Sequence, residues 1–131
     1  MKKDILIPEV RDVAMAIVLE HNETHNVEEW IVYLINKKET PLEMAVIVSQ
    51  GFSESKTTSI FRKIIDLLPA QSIAKIELIQ PELFALDNRF QVTFFQNNTL
   101  YEKTFLFKKN TIKEGNLRMI KECNKRGIVC I

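Results

Sequence analysis

The chain is poor in the residues that announce the commonest special classes of protein. It has three glycines and four prolines in 131 residues, which excludes collagen-like repeats and argues against a low-complexity or disordered segment. Its two cysteines, Cys123 and Cys130, are too few and too close in the chain for a disulfide scaffold, and they lack the two-residue spacing of a zinc knuckle or redox motif. Two histidines, His21 and His25, leave little material for a metal centre. Lysine plus arginine exceed the acids by only one (18 against 17), so no whole-molecule field draws in nucleic acid or an anionic membrane. No apolar run approaches the ~20 residues of a membrane span. The opening Met1-Lys2-Lys3-Asp4-Ile5-Leu6-Ile7-Pro8-Glu9 sets two lysines before an apolar run too short for an export signal. A cytoplasmic protein with free thiols is expected.

What is present is ordinary globular composition: 46% hydrophobic and 27% charged, enough to bury one core in one domain over residues 1–131. The clearest pattern is a hairpin. Phe90-Gln91-Val92-Thr93-Phe94-Phe95 and Leu100–Phe107 alternate aromatic or β-branched residues with others, and Asn97-Asn98 between them suits a tight turn with positive φ. Glu29–Lys37 predicts a central strand, because Trp30, Val32 and Leu34 line one side and Ile31, Tyr33 and Ile35 the other. Glu43–Gln50 and Ser72–Gln80 predict two more. Residues 10–20 and 57–68 fit a helical face as well as a strand. About seven antiparallel strands then predict an all-β immunoglobulin-like sandwich burying Trp30, Phe90, Phe94 and Phe105 between its sheets. The alternative is an α+β domain with helices at 10–20 and 57–68. Beyond Phe107 the composition turns basic, and 108–131 is expected to be an irregular or short-helical tail packed on the body, with any helix near Leu117–Asn124.

Several segments also carry a resemblance. They are Tyr33-Leu34-Ile35-Asn36, Val46-Ile47-Val48-Ser49, Leu68-Pro69-Ala70-Gln71-Ser72, Ala74-Lys75-Ile76-Glu77-Leu78, Val92-Thr93-Phe94-Phe95, and Tyr101-Glu102-Lys103 followed by Phe105–Asn110. On these the chain resembles, over nearly its full length, a family of short uncharacterised bacterial proteins, some labelled phenylalanyl-tRNA synthetase subunit. The resemblance implies a compact β domain and adds an RNA- or synthetase-associated accessory role to the functions to be weighed.

Candidate sites follow from residue type. His21 and His25 stand four apart beside Glu20, Glu28 and Glu29, a spacing that holds a transition metal on a helix; in a polar loop they are solvated side chains. Cys123 or Cys130 becomes a reactive thiol only where a neighbour lowers its pKa. Lys75 and Glu77 alternate with Ala74, Ile76 and Leu78, which predicts an exposed polar stripe with Arg62 across from it. Lys108, Lys109, Lys113 and Arg118, with Tyr101 and Phe107 upstream, are the candidate polyanion contact, diluted by Glu114 and Glu122. No catalytic motif is found and no cofactor is implied. The expected function is therefore that of a non-catalytic binding or interaction module with a protein partner, self-associating through an exposed edge strand. The alternatives are the RNA- or synthetase-associated role and a small metal- or thiol-dependent enzyme. Nucleic-acid binding and membrane association are not expected.

Overall fold

A computed structural model of the chain describes residues 9–131. The Met1–Pro8 segment, on which the reading of the N-terminus rests, lies outside the described residues. Nine strands run in order among those described: β1 (Val13–Asn22), β2 (Val27–Asn36), β3 (Leu42–Phe52), β4 (Phe61–Leu68), β5 (Ser72–Leu78), β6 (Asp87–Gln96), β7 (Thr99–Phe107), β8 (Arg118–Ile120) and β9 (Lys125–Cys130). They build a five-stranded sheet ordered β5-β2-β1-β9-β8 and a four-stranded sheet ordered β4-β3-β6-β7. Every pairing is antiparallel. The fold is an all-β sandwich. The only helical turns among the described residues are short 3-10 segments at Pro81–Ala85 and Glu114–Asn116.

The helices allowed at 10–20 and 57–68 do not form. β1 has a strand on each side, and both of its faces are covered. Val13, Met15 and Ile17 enter the core between the sheets, while Ala14, Ala16 and Val18 join a second cluster on the outer face. Such a strand reads as a continuous apolar run, which is why its period is ambiguous in the sequence. In the second stretch β4 starts only at Phe61 and pairs with β3 from Ser49↔Phe61 to Leu42↔Leu68. Pro69 then removes the next donor.

Between the sheets Phe90, Phe94 and Phe105 are fully buried, each contributing roughly 1.5–3 kcal/mol of burial free energy. Phe94 stacks on Tyr101 at 5.2 Å between centroids. Trp30 departs from its expected place among them. It is only half-buried, at the rim of the core, with its ring edge-to-face on Phe84 at 5.1 Å. The β6–β7 hairpin turns on Asn97 (φ 50°) and Asn98 (φ 62°), with Gln96 opposite Thr99. Two consecutive positive φ values are the signature of a type I′ turn, whose twist matches that of the strands.

The tail corrects the expectation of an irregular or short-helical segment. Residues 118–130 form the β8–β9 hairpin, and β9 pairs with β1 from Met15↔Cys130 to Val18↔Gly127. Gly127 makes this approach feasible: a Cβ there would lie 2.7 Å from the Ile17 carbonyl oxygen and 2.9 Å from Ile120 Cδ1. The hairpin folds Ile120 and Cys123 onto the outer face of β1 and β2, burying Ala16, Val18, Ile31 and Tyr33. Among the described residues no helix is long and apolar enough to cross a membrane.

Candidate functional site

A bulge in β5 turns a carboxylate towards the space between the sheets. Val32 of β2 faces Glu77 while the next residue, Tyr33, faces Lys75, so Ile76 is an extra residue in the ladder. An inserted residue reverses the in–out alternation beyond it. Ile76 is buried, Glu77 also turns inward, Leu78 is thrown out to solvent at 51% exposure, and Ile79 is buried again. The Glu77 carboxylate accepts a hydrogen bond from the Ser49 hydroxyl, 2.9 Å away on the opposite sheet. Ser49 is buried on β3, where the inward alternation of Ala45 and Ile47 reaches its first hydroxyl. Burial raises the pKa of Glu77 above the usual carboxylate range, and the Ser49 hydrogen bond partly opposes this.

Glu77 and Ser49 open onto a cleft of about 270 Å³ between the sheets, whose apolar wall is Phe61, Ile79, Leu83 and Phe90. Its polar wall is held by Thr58. The Gly51 N–H donates to Thr58 Oγ1 at 2.9 Å, and Gln50 Nε2 donates to the Thr58 carbonyl at 3.1 Å. Asn88 donates its amide N–H groups to the carbonyls of Leu83 and Leu86 at 2.9 and 3.1 Å, which leaves its Oδ1 directed towards Gly51.

The bulge also undoes the expected polar stripe. Lys75 remains on the outer face of the five-stranded sheet, opposite Tyr33, whereas Glu77 points between the sheets. Arg62, opposite the outward Val48, lies on the far side of the four-stranded sheet. Arg62, Lys75 and Glu77 thus occupy three different surfaces and do not form one cluster.

A second polar group sits within the outer apolar cluster. The Tyr33 hydroxyl donates to the Glu20 carboxylate, Lys125 Nζ lies 3.4 Å from Glu20 Oε2, and Lys125 stands 5.9 Å from the centroid of the Tyr33 ring. Burial, then the Glu20 hydrogen bond and charge, push the Tyr33 phenol well above its ordinary value. Burial likewise pushes the Cys123 thiol up, and the backbone N–H and charge of Lys125 only partly oppose it. A protonated thiol is a poor nucleophile, and the Cys123 side chain packs against the outer apolar cluster. Sequence reasoning misses Glu20, Tyr33 and Lys125 as a group. A tyrosine on a buried strand face needs a partner for its hydroxyl, and that requirement is the available signal.

The remaining candidates are dispersed. His21 lies on β1, not in a loop, with Nδ1 2.9 Å from Glu28 Oε2; in the β1–β2 turn the His25 backbone N–H donates to Asn22 Oδ1 at 3.1 Å. Among the described residues no three His, Cys, Asp or Glu side chains converge as a metal site. Both cysteines are free, and Cys130 Sγ lies 3.7 Å from the Leu106 carbonyl. Lys108 and Lys109 follow β7 on the four-stranded sheet, with the Lys109 backbone N–H donating to Asp87 at 2.7 Å. Lys113 precedes the second 3-10 turn, and Arg118 opens β8 on the other sheet, lining an outer groove with Lys37 and Lys121. Lys108 and Lys109 therefore follow a strand of one sheet, Arg118 opens a strand of the other, and Lys113 lies in the connection between them.

Among the described residues the sandwich has four edges, β5 and β8 on one sheet and β4 and β7 on the other. β8 is three residues long, β5 is bulged, and β7 carries Glu102 and Lys103. β4 runs for eight residues and also carries charge, at Arg62, Lys63 and Asp66, but with Ile60 before it exposes Ile60, Phe61, Ile64 and Leu67, against Leu100 and Leu106 on β7. No family model matches the chain, and neither a curated protein nor a solved structure does.

Proposed function

We propose that the protein is a non-catalytic binding module whose docking surface is the β4 edge, and that the strand it takes up is β4 of a second copy. The observation that supports this reading is the run of exposed large apolar residues on β4, beside backbone groups with no neighbouring strand among the described residues. Charge favours the second copy as occupant. In an antiparallel pairing centred on Ile64, Arg62 stands opposite Asp66 of the partner subunit, and the reverse pair forms on the other side of the axis. Cross-strand opposite charges contribute about 0.2–1 kcal/mol each, and the isologous geometry uses every contact twice. The two four-stranded sheets would join into one of eight strands.

The strand order supports an immunoglobulin-like reading of the scaffold. The β1–β2 hairpin lies in the five-stranded sheet and the β3–β4 and β6–β7 hairpins lie in the four-stranded sheet, while β2 pairs with β5 and β3 pairs with β6. That is the pairing pattern of immunoglobulin-type sandwiches, with β8 and β9 added beyond the first strand.

Sedimentation across a wide concentration range tests the docking surface. A dimer is expected, lost in Arg62→Asp and restored when Asp66→Arg is added. A monomer mass at every concentration, or a dimer indifferent to the charge swap, overturns the reading.

A further inference from the structure

The Glu77 cleft carries an inference that does not need the β4 pairing: Phe61 is the one β4 residue in its lining, and neither Arg62 nor Asp66, on which the dimer test turns, belongs to it. Among the described residues, Glu77 is the only ionisable side chain in the lining. No ion pair among the described residues engages it. A carboxylate drawn out of water without a counter-charge is costly to ionise, and a cation placed beside it lifts that cost. Ser49 occupies one carboxylate oxygen, Oε2, and leaves the other for a single point donor rather than for the two-pronged fork of a guanidinium. The wall adds the Asn88 Oδ1 acceptor, whose amide N–H groups are already spent on the Leu83 and Leu86 carbonyls, and no described lysine, arginine or histidine. The opposite wall, Phe61, Ile79, Leu83 and Phe90, is apolar and suits a hydrocarbon stem. Size limits the ligand: about 270 Å³ is on the order of nine water volumes, below the usual range for cofactor and drug-sized sites.

We propose that this cleft binds a primary alkylammonium group of a few carbons, with Glu77 as its counter-charge, Ser49 and Asn88 flanking the head and Phe61 and Phe90 along the stem. The group is either a free small amine or the side chain of a lysine on a partner chain, and the chemistry recognised is the same.

Butylammonium is the probe, and backbone amide shifts of Ser49, Gln50, Gly51 and Thr58 are the readout. Saturable shifts are expected, absent with butanol, which has the same stem and no charge. Glu77→Gln should weaken butylammonium by about tenfold or more, the loss of one charge-assisted hydrogen bond. Phe61→Lys, a change at the partly exposed mouth, places a competing ammonium in the cleft and should weaken it similarly without touching Glu77. An extended lysine peptide and its norleucine twin separate the two sources. Tighter binding of the lysine peptide than of butylammonium assigns the group to a partner chain, and equal or weaker binding assigns it to a free amine. Butanol binding as well as butylammonium, no saturable shift, or an affinity unchanged in both variants overturns the proposal.

Discussion

Replacing Gly127 by alanine adds one methyl group where β9 crosses closest to β1. The new Cβ would sit 2.7 Å from the Ile17 carbonyl oxygen, about 0.7 Å inside ordinary van der Waals contact. It would also press on Ile120 Cδ1 at 2.9 Å and Val18 Cγ2 at 3.0 Å. The two side chains can yield a little, but the carbonyl belongs to a central strand paired on both sides and cannot. The hairpin must therefore retreat, stretching the ladder from Met15↔Cys130 to Val18↔Gly127 and lifting Ile120 from the outer cluster. Overpacking of this kind costs about 1–3 kcal/mol. For a chain of this size that is a fall in Tm of roughly 4–12 °C. Thermal unfolding followed by circular dichroism measures it, and hydrogen exchange should show protection lost first at the amides of β8 and β9. Gly115→Ala is the control. No described atom lies within 4 Å of its Cβ position, so a change near zero or a gain of about 0.4–1 kcal/mol is expected. Equal Tm values for wild type and Gly127→Ala, with β9 protection intact, would refute the steric reasoning.

Three further outcomes are expected. Asn98→Gly should hold or raise stability by up to about 0.5–1 kcal/mol in urea titration, because glycine adopts φ 62° in a type I′ turn at the least cost; Asn98→Val should lower it by about 1–3 kcal/mol, and a neutral valine would contradict the turn assignment. Phe94→Ala should cost about 3–5 kcal/mol, since the ring is fully buried and stacked on Tyr101; a cost under about 1 kcal/mol would show that the core collapses into the space. The raised pKa of Glu77 means that the folded state holds this proton more tightly than the unfolded chain. Stability therefore falls as pH rises from the ordinary carboxylate range through the folded pKa, and this contribution should vanish from the urea midpoint profile of Glu77→Gln; an identical pH slope in the variant would remove Glu77 as its source.

The parts of the fold that are legible in the sequence are those where local chemistry and tertiary context agree. Asn97-Asn98 between two alternating aromatic runs specifies its own hairpin, and the two apolar sides of β2 correctly announce a strand covered on both faces. β1 and β4 are ambiguous because periodicity does not discriminate helix from strand when alanines mix with β-branched residues or when both faces are apolar. β9 escapes notice because Lys125-Arg126-Gly127 looks like a loop. What makes it a strand is the room a missing side chain leaves against Ile17, and that is visible only in three dimensions. The polar cluster fails for two reasons: Arg62 sits on the other sheet, and the Lys75–Glu77 stripe is itself broken. Period-two reasoning places Lys75 and Glu77 together, and one extra residue, Ile76, separates them. The cleft at Glu77 is thus the product of a defect in regular pairing, and no count along the chain locates it.

The pairing of β1 with β9 has a consequence for how the chain comes together during synthesis. Met15 meets Cys130 across almost the whole described length, so the middle of the five-stranded sheet closes only once β9 has left the ribosome. Until then β1 holds an open flank and two greasy sides, a template that neighbouring nascent chains can zip onto. Assembly should accordingly be slow and all-or-none, with truncations that remove β9 aggregating rather than yielding a smaller soluble core.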